Sequence, residues 1–218
     1  MLRLLAESYT YYLANQSRFW GELARHLILS GSALAISLAI CLPLGVWSAR
    51  HTRAAQHLIN AVGSLRLIPS LAILFLALPL LGTGFRPALV ALTVLALPPV
   101  LINVYAGLLG VERAVVEAAQ AMGMNTRQQL FQIELPLALP AIIAGVRIAS
   151  VEVIASATLA AFIGGGGLGT FVTRGFAMFE PRIMLVGAIP VAVLALLSEV
   201  LLGIVARWVS PHSRAVPQ

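Results

Sequence analysis

Long apolar runs, separated by short stretches that contain arginine, glutamate or histidine, make up most of the chain. Five such runs cover residues 27–47, 67–85, 87–111, 137–163 and 183–206. An α-helix needs about 20 apolar residues to cross the hydrocarbon core of a bilayer. Each run is long enough to do so, and the pattern therefore predicts an all-α integral membrane protein with five transmembrane helices.

The segments outside these runs complete the predicted organisation. Residues 1–25 mix arginine and glutamate with five aromatic side chains, which is typical of a helix at the membrane interface and unlike a cleaved signal peptide. Residues 26–207 form the predicted membrane domain, with a polar loop at 110–136, and residues 208–218 form a tail. Prolines within several runs indicate kinked helices packed against one another.

The composition agrees with a protein whose main solvent is lipid. Hydrophobic residues make up 60% of the chain and charged residues 10%, compared with about 25% charged residues in soluble domains. The net charge of +6 comes from arginines that flank the apolar runs. This placement is typical of membrane borders and not of a nucleic-acid surface.

The kinds of charged residue exclude several chemistries. All 14 basic residues are arginine and all eight acidic residues are glutamate. Without lysine there is no P-loop, and without aspartate there is no aspartyl-phosphate nucleophile or Ser-His-Asp triad. The four histidines lack the spacing of a metal site. We therefore predict that the chain is not an enzyme and holds no metal, and that any ATP hydrolysis occurs in another subunit.

The arginines alone do not orient the predicted spans. With the 110–136 loop assigned to the cytoplasm, seven arginines lie on that side and six on the other, and Arg147 lies within a run. The positive-inside rule needs a clear excess on one side. Orientation therefore requires a different argument.

The 110–136 loop is the longest polar-containing insert, and its sequence predicts two short helices. Residues 112–122 are rich in helix-forming residues with apolar positions at helical spacing. Gly123 suits a left-handed residue at a helix end, and Asn125 or Thr126 is able to cap a second helix. Pro136 is predicted to stop this second helix before the next span. Such a loop outside the membrane is suited to contact a docked partner.

The same loop carries a motif with fixed spacing. Glu-Ala-Ala is followed after three residues by Gly, after nine more by Ile, and after one more by Leu-Pro. This pattern resembles the "EAA" motif of permease subunits of binding-protein-dependent ABC importers. The resemblance implies a role in coupling to the ATPase for the motif residues Glu117, Ala118, Ala119, Gly123, Ile133, Leu135 and Pro136.

The resemblance also implies a fold, a location and partners. The fold expected is that of type I importer permeases, in the bacterial inner membrane. The loop lies in the cytoplasm, where its coupling helix docks on an ABC ATPase that binds ATP and magnesium. Five spans then place the N-terminus outside and the C-terminus, with its tail, in the cytoplasm. A second permease copy or a sister permease, and a separate substrate-binding protein, complete the implied assembly.

Three further segments are similar to the osmoprotectant branch of these permeases: residues 135–147, 157–169 and 187–197. The resemblance implies import of glycine betaine, carnitine, choline or related quaternary amines. One departure is the pair Glu112-Arg113, where the branch has an acidic residue followed by proline. The alternatives are a permease of the same class for methionine, phosphonate or a sulfonate, a secondary transporter driven by an ion gradient, and an assembly subunit without a path of its own.

Polar residues within the fourth and fifth runs are candidates for the translocation path. Charged side chains inside a membrane span are costly and usually face a partner or water. Glu152 lies deepest and is the best candidate, with an interhelical hydrogen bond as the alternative role. The remaining path candidates are Arg147, Ser156, Thr158 and Glu199.

A glycine-rich segment follows the fourth run. Its spacing matches a dinucleotide-binding fingerprint, but no strand precedes it and no acidic residue follows at the required distance. We interpret it either as a flexible gate or hinge on the external side or as a plain tight turn. The hinge candidates are Gly164, Gly165, Gly166, Gly167 and Gly169.

Overall fold

The computed structural model describes residues 2–209, with the side chains of Leu2 and of residues 52–54 excepted. These residues form helices joined by short turns, and no strand occurs among them. The α-helices are α1 (Leu2–Ala14), α2 (Gln16–Arg50), α3 (Thr52–Ser64), α4 (Ser70–Leu81), α5 (Phe85–Leu109), α6 (Arg113–Ala121), α7 (Thr126–Gln129), α8 (Leu135–Ser156), α9 (Gly169–Ala177) and α10 (Pro181–Val209).

Four helices are long and apolar enough to cross a membrane singly. They are Gln16–Arg50, Phe85–Leu109, Thr126–Ser156 and Pro181–Val209. A fifth crossing is possible through a pair of shorter helices, Ala55–Leu67 and Ser70–Leu81, which are bent by 100° relative to each other. The all-α membrane fold expected from the sequence is confirmed, with four spans, or five if this bent pair crosses the membrane as one.

The bend corrects the straight span predicted at residues 67–85. Ile68 has an extended backbone, with φ −84° and ψ 122°. A residue that precedes proline is driven out of the helical region by the proline ring, and Pro69 follows directly. Helix α3 and the 3₁₀ turn Leu65–Leu67 therefore end before Pro69, and α4 begins after it.

Other predicted boundaries also shift. The first predicted span, at 27–47, lies within α2, which begins at Gln16. The predicted interfacial segment 1–25 is therefore divided between α1, which ends at Ala14, and the start of α2. The fourth, at 137–163, ends at Ser156, and a 3₁₀ helix covers Leu159–Ile163. Helix α10 extends to Val209, so the predicted tail at 208–218 lies outside the described residues from residue 210 onward.

Helix α5 forms the centre of the bundle. In an apolar stretch of 18 residues of α5, 61% of the residues are buried, compared with 6% in the corresponding stretch of α10. Helices α2, α4 and α8 contribute to the main apolar core around it. Close packing is possible because glycines lie at the contact of α5 with α8: a Cβ atom on Gly145 would lie 2.8 Å from the carbonyl oxygen of Pro99, and one on Gly107 would lie 3.0 Å from that of Ala138. Small residues at helix contacts are the usual means of association in membranes.

A smaller apolar core joins the first turns of α2 to the segment between α8 and α10. Its buried members are Phe19, Ile154, Leu168, Phe171, Ile183, Val186 and Val191. The rings of Phe19 and Phe171 have centroids 6.2 Å apart. This core lies at the end of the bundle opposite to the 110–136 loop, and it surrounds the glycine-rich segment.

The packing predicts that Gly145→Ala destabilises the protein. The new methyl group would meet the Cβ atom of Asn103 at 2.6 Å, and overpacking of this kind costs about 1–3 kcal/mol. The measurement is the temperature at which the detergent-solubilised protein loses its monodisperse chromatographic peak. Gly31→Ala is the matched control, because a Cβ atom on Gly31 would meet no neighbouring element within 4 Å. Equal melting of the two variants would contradict the packing described.

Candidate functional site

Helix α6 of the 110–136 loop ends in a Schellman motif centred on Gly123. The N–H of Gly123 donates to the carbonyl of Gln120 at 2.9 Å, and the N–H of Met124 donates to that of Ala119 at 3.1 Å. Gly123 has a φ of +83°, a conformation that glycine adopts without steric cost. The prediction that Gly123 ends the first short helix is therefore confirmed.

Asn125 begins the second helical segment with a capping box. Its side chain accepts from the N–H of Gln128, and the Gln128 side chain accepts from the N–H of Asn125, each at 2.9 Å. The prediction that Pro136 stops this helix is wrong. A single π turn, Leu130–Glu134, joins α7 to α8, and Pro136 lies in the first turn of α8, where its missing N–H is tolerated.

The motif residues separate into an exposed and an inward-facing set. Glu117, Ala118 and Gly123 are exposed, whereas Ala119 is 1% exposed. Glu117 is bonded to Arg113 at 3.0 Å along the same helix. Pro136 is exposed, and Ile133 and Leu135 are half-buried. Helix α6 thus exposes Glu117 and Ala118, whereas Ala119 on the same helix is buried against the rest of the protein.

An ion pair that sequence reasoning missed ties this loop to α2. Arg50, the last residue of α2, donates to the carboxylate of Glu134 at 2.6 Å. Glu134 lies between the motif residues Ile133 and Leu135, and its side chain is only 11% exposed. The two residues are 84 positions apart, so no local pattern in the sequence indicates their contact.

Two of the path candidates are brought together. Arg147 of α8 donates to the carboxylate of Glu199 of α10, and their side chains are 42% and 38% exposed. Close by, the hydroxyls of Ser150 and Ser198 lie 3.5 Å apart. A groove of about 370 Å³ borders Glu199 and is otherwise apolar, lined by Ile148, Val151, Ala195 and Leu196.

The other path candidates lie at or just beyond the C-terminal end of α8. Glu152 is half-buried. Ser156 is half-buried, and the Thr158 hydroxyl donates to the carbonyl of Ala155 at 2.7 Å. Thr158 thus stabilises the end of α8.

The glycine loop, which we define as residues 164–169, is held by side chains of α2. Arg25 donates to the carbonyl of Gly165 at 2.9 Å. Glu22 accepts from the N–H of Gly167 at 2.7 Å. Gly165 to Gly169 are all buried. These contacts favour a tight turn over a flexible hinge.

Close approach explains why this loop needs glycine. Gly166 has a φ of +78°, and a Cβ atom there would lie 2.5 Å from Nε of Arg25. On Gly169 a Cβ would collide with the backbone of Thr158. Gly164 is exposed, with a φ of +78°. On its other side the loop meets the α4–α5 turn, where the N–H of Gly84 donates to the carbonyl of Ile163 at 2.7 Å.

His26 completes the set of α2 side chains at this end. It is fully buried, and its Nε2 donates to the carbonyl of Ile154 at 3.1 Å. Glu22, Arg25 and His26 occupy helical spacing i, i+3 and i+4, which places them on one face. Sequence reasoning missed this contact, although the spacing is a signal from which a shared polar face near the start of the first span could have been predicted. Within the described residues no cluster of three or more histidine, cysteine or acidic side chains suits a metal ion.

The described residues have the architecture of a multi-pass membrane protein, with an exposed two-helix loop outside the helical bundle. Residues 41–211 match the family described as "Binding-protein-dependent transport system inner membrane component". The match covers most of the chain, and the chain belongs to this family.

Relatives of known name support the same placement. The chain is 40% identical to the carnitine transport permease protein OpuCB of Listeria monocytogenes, over 89% of both chains. It is 37% identical to the glycine betaine/carnitine/choline transport system permease protein OpuCB of Bacillus subtilis, over 93% of both. It is also 39% identical to the choline transport system permease protein OpuBB of Bacillus subtilis, over 85% of this chain and 86% of that one.

The fold also matches a solved transporter. A chain of the MetNI methionine ABC transporter, in an inward-facing conformation, superposes with a TM-score of 0.74 and 24% sequence identity. The match covers 85% of this chain and 93% of that one. At this level of identity the comparison establishes the type I importer permease fold.

The contact between α8 and α10 predicts the behaviour of charge variants. Arg147→Glu places two acidic groups side by side at the partly exposed contact of α8 with α10, and it is expected to lower the thermal stability of the detergent-solubilised protein. The double variant Arg147→Glu/Glu199→Arg restores the pair and is expected to recover most of that stability. No recovery in the double variant would contradict a direct interaction between the two side chains.

Proposed function

We propose that this chain is the membrane-spanning permease subunit of an ATP-driven importer of osmoprotectants such as glycine betaine, carnitine or choline. The observation that supports coupling to ATP is the exposure of helix α6, which contains the Glu-Ala-Ala part of the EAA motif. The named relatives, which transport carnitine, choline or glycine betaine and cover nearly the whole chain, support the substrate class.

Coupling would proceed through α6. ABC ATPase subunits bind ATP and magnesium and hydrolyse the ATP, and this chain provides the surface on which they dock. Closure of the ATPase pair draws the α6 helices of two permeases together. Rigid helices carry that motion across the membrane and switch the path between inward-open and outward-open states. Glu117, Ala118 and Gly123 form the exposed part of the docking surface.

The assembly contains a second permease, either a copy of this chain or a sister chain, and a separate binding protein that delivers the solute. With α6 in the cytoplasm of a bacterial cell, the N-terminus lies outside and the C-terminus inside. The glycine loop then lies on the outer side, where the binding protein docks. The chain is a transport subunit and not an enzyme.

The path is lined by polar groups of α8 and α10. Charged residues within spans face water or protein and not lipid, and the partly exposed pair Arg147–Glu199 is on an outer face of this chain. We assign this face, with Glu152, Ser156 and Thr158, to the path between the two permeases. The glycine loop borders its outer end and acts as a gate element that moves together with α2.

A gradient-driven transporter is the alternative of a different class. It would use Glu152 or Glu199 as a proton carrier. Glu199 is already bonded to Arg147 of the same chain, and such a transporter has no use for an exposed coupling helix. The names of the sequence relatives give no support to a permease of the same class for methionine, phosphonate or a sulfonate. The methionine transporter, at 24% identity, is similar in fold alone.

The assembly predicts what co-purifies with the tagged chain. A pull-down from native membranes in mild detergent, followed by mass spectrometry, is expected to recover an ABC ATPase. A second permease beside it would identify a heterodimer. Recovery of the chain alone from intact membranes would contradict the proposed function.

The coupling surface predicts that Glu117→Lys and Gly123→Pro uncouple transport from ATP hydrolysis. Lysine reverses a charge on the docking face, and proline is incompatible with the positive φ of Gly123. Both variants are expected to insert in the membrane and to lose solute uptake, measured with the ATPase rate in reconstituted vesicles. Glu7→Lys is the matched control, since Glu7 also forms an exposed pair at i, i+4, with Arg3. Unchanged coupling in both loop variants would contradict the role of α6.

A further inference from the structure

Helix α2 is attached to α8 and to the residue that precedes α8 at two widely separated points. At the end near the 110–136 loop, Arg50 is bonded to Glu134, the residue directly before α8. At the other end, His26 donates to the carbonyl of Ile154, in the last turn of α8. From His26 to Arg50, α2 extends about 36 Å at 1.5 Å per residue. The two attachments thus lie on opposite sides of the bundle.

The attachment at the far end extends beyond α8 to the glycine loop. Arg25 and Glu22 bind the backbone of Gly165 and Gly167, which are 140 and 145 residues away in the sequence. The loop glycines have no side chains, so the α2 side chains lie directly against their backbone. A single face of α2 therefore holds both the end of α8 and the loop that follows it.

Separation of these contacts would strand polar groups inside the protein. His26 is fully buried, and the side chain of Glu134 is 11% exposed. A buried polar group that loses its partner is strongly destabilising. Between the two attachments, Gly45 of α2 allows close packing on Val104 of α5. These constraints favour movement of α2 and α8 as a unit over sliding between them.

We propose that α2 is a strut that carries displacement of the coupling loop to the glycine loop. Arg50 and Glu134 fix its cytoplasmic end, and Glu22, Arg25 and His26 fix its outer end. The five are positioning residues: they act on the path through the helices that they join. This inference rests on the proposed function, because it assigns a role in the ATP-driven cycle.

The first test measures the number of ATP molecules hydrolysed per solute imported in vesicles that contain the complete complex. Arg50→Glu and Glu134→Arg are each expected to raise this ratio by about fivefold or more, the lower range of measured couplings between sites. The double variant Arg50→Glu/Glu134→Arg restores the pair and is expected to bring the ratio back toward that of the wild type. A ratio that stays at the wild-type value in both single variants would overturn the proposal.

The outer attachment offers a conservative pair of variants. Glu22→Gln keeps an oxygen that accepts from the N–H of Gly167, and it is expected to keep coupled transport. Glu22→Ala removes the acceptor and is expected to raise the ratio in the same way as Arg50→Glu. Glu7→Ala, at an exposed glutamate of α1, is the control. Equal ratios for Glu22→Ala and Glu22→Gln would count against the outer attachment.

A distance measurement keeps the proposal testable if these variants fail to fold. Trp20 of α2 and Phe162, beyond α8, are 57% and 55% exposed, and spin labels at Trp20→Cys and Phe162→Cys are placed in a Cys41→Ala background. We expect the same label-to-label distance within one chain in nucleotide-free and ATP-trapped complexes. A distance that changes between the two states would overturn the strut.

Different results would overturn the proposed function and the role of α2 as a strut. A wild-type complex that imports no solute with ATP would overturn the proposed function, whereas the distance measurement would still decide whether α2 and the α8 segment move together. ATP-driven import with wild-type coupling in Arg50→Glu and in Glu22→Ala would retain the proposed function and remove the strut.

Discussion

Polar groups enclosed by this apolar bundle have to find hydrogen-bond partners within the protein, because lipid offers none. This constraint determines where the helices are joined. Arg50, the last residue of α2, meets Glu134 directly before α8, and Arg147 of α8 meets Glu199 of α10. At the far end the backbone of the glycine loop is satisfied by Glu22 and Arg25. Apolar packing on α5 gathers the helices, and these polar contacts fix their relative positions.

These contacts also connect the loop outside the bundle to the membrane-spanning helices. Helix α6 is outside the bundle, and Ala119 is its one fully buried side chain. Helix α6 is joined to α7 by the turn at Gly123, and α7 continues through one π turn into α8. In the proposed cycle, force applied at α6 would reach α8 across this turn, and the Arg50–Glu134 ion pair would share it with α2. The ATPase would thus act on a frame of two joined helices.

Sequence reasoning succeeded where the determinants are local. Gly123 and Asn125 specify the ends of two short helices through contacts within five residues, and apolar runs specify the spans. It failed where the determinants are distant in the chain or compete with one another. Pro69 breaks a run that is apolar enough to cross the membrane, whereas the π turn before Pro136 allows a helix to continue. The contact between Glu22 and Gly167 joins residues 145 positions apart, and only the tertiary structure brings them together.

The central claim, that ATP hydrolysed by a partner drives solute through this chain, is tested most directly by uptake into reconstituted vesicles. The vesicles contain the permease with its ATPase, and the binding protein is added outside with radiolabelled glycine betaine, carnitine or choline. The account predicts uptake that requires enclosed ATP and persists when ionophores abolish ion gradients. Uptake that continues without ATP and collapses with an ionophore would contradict it.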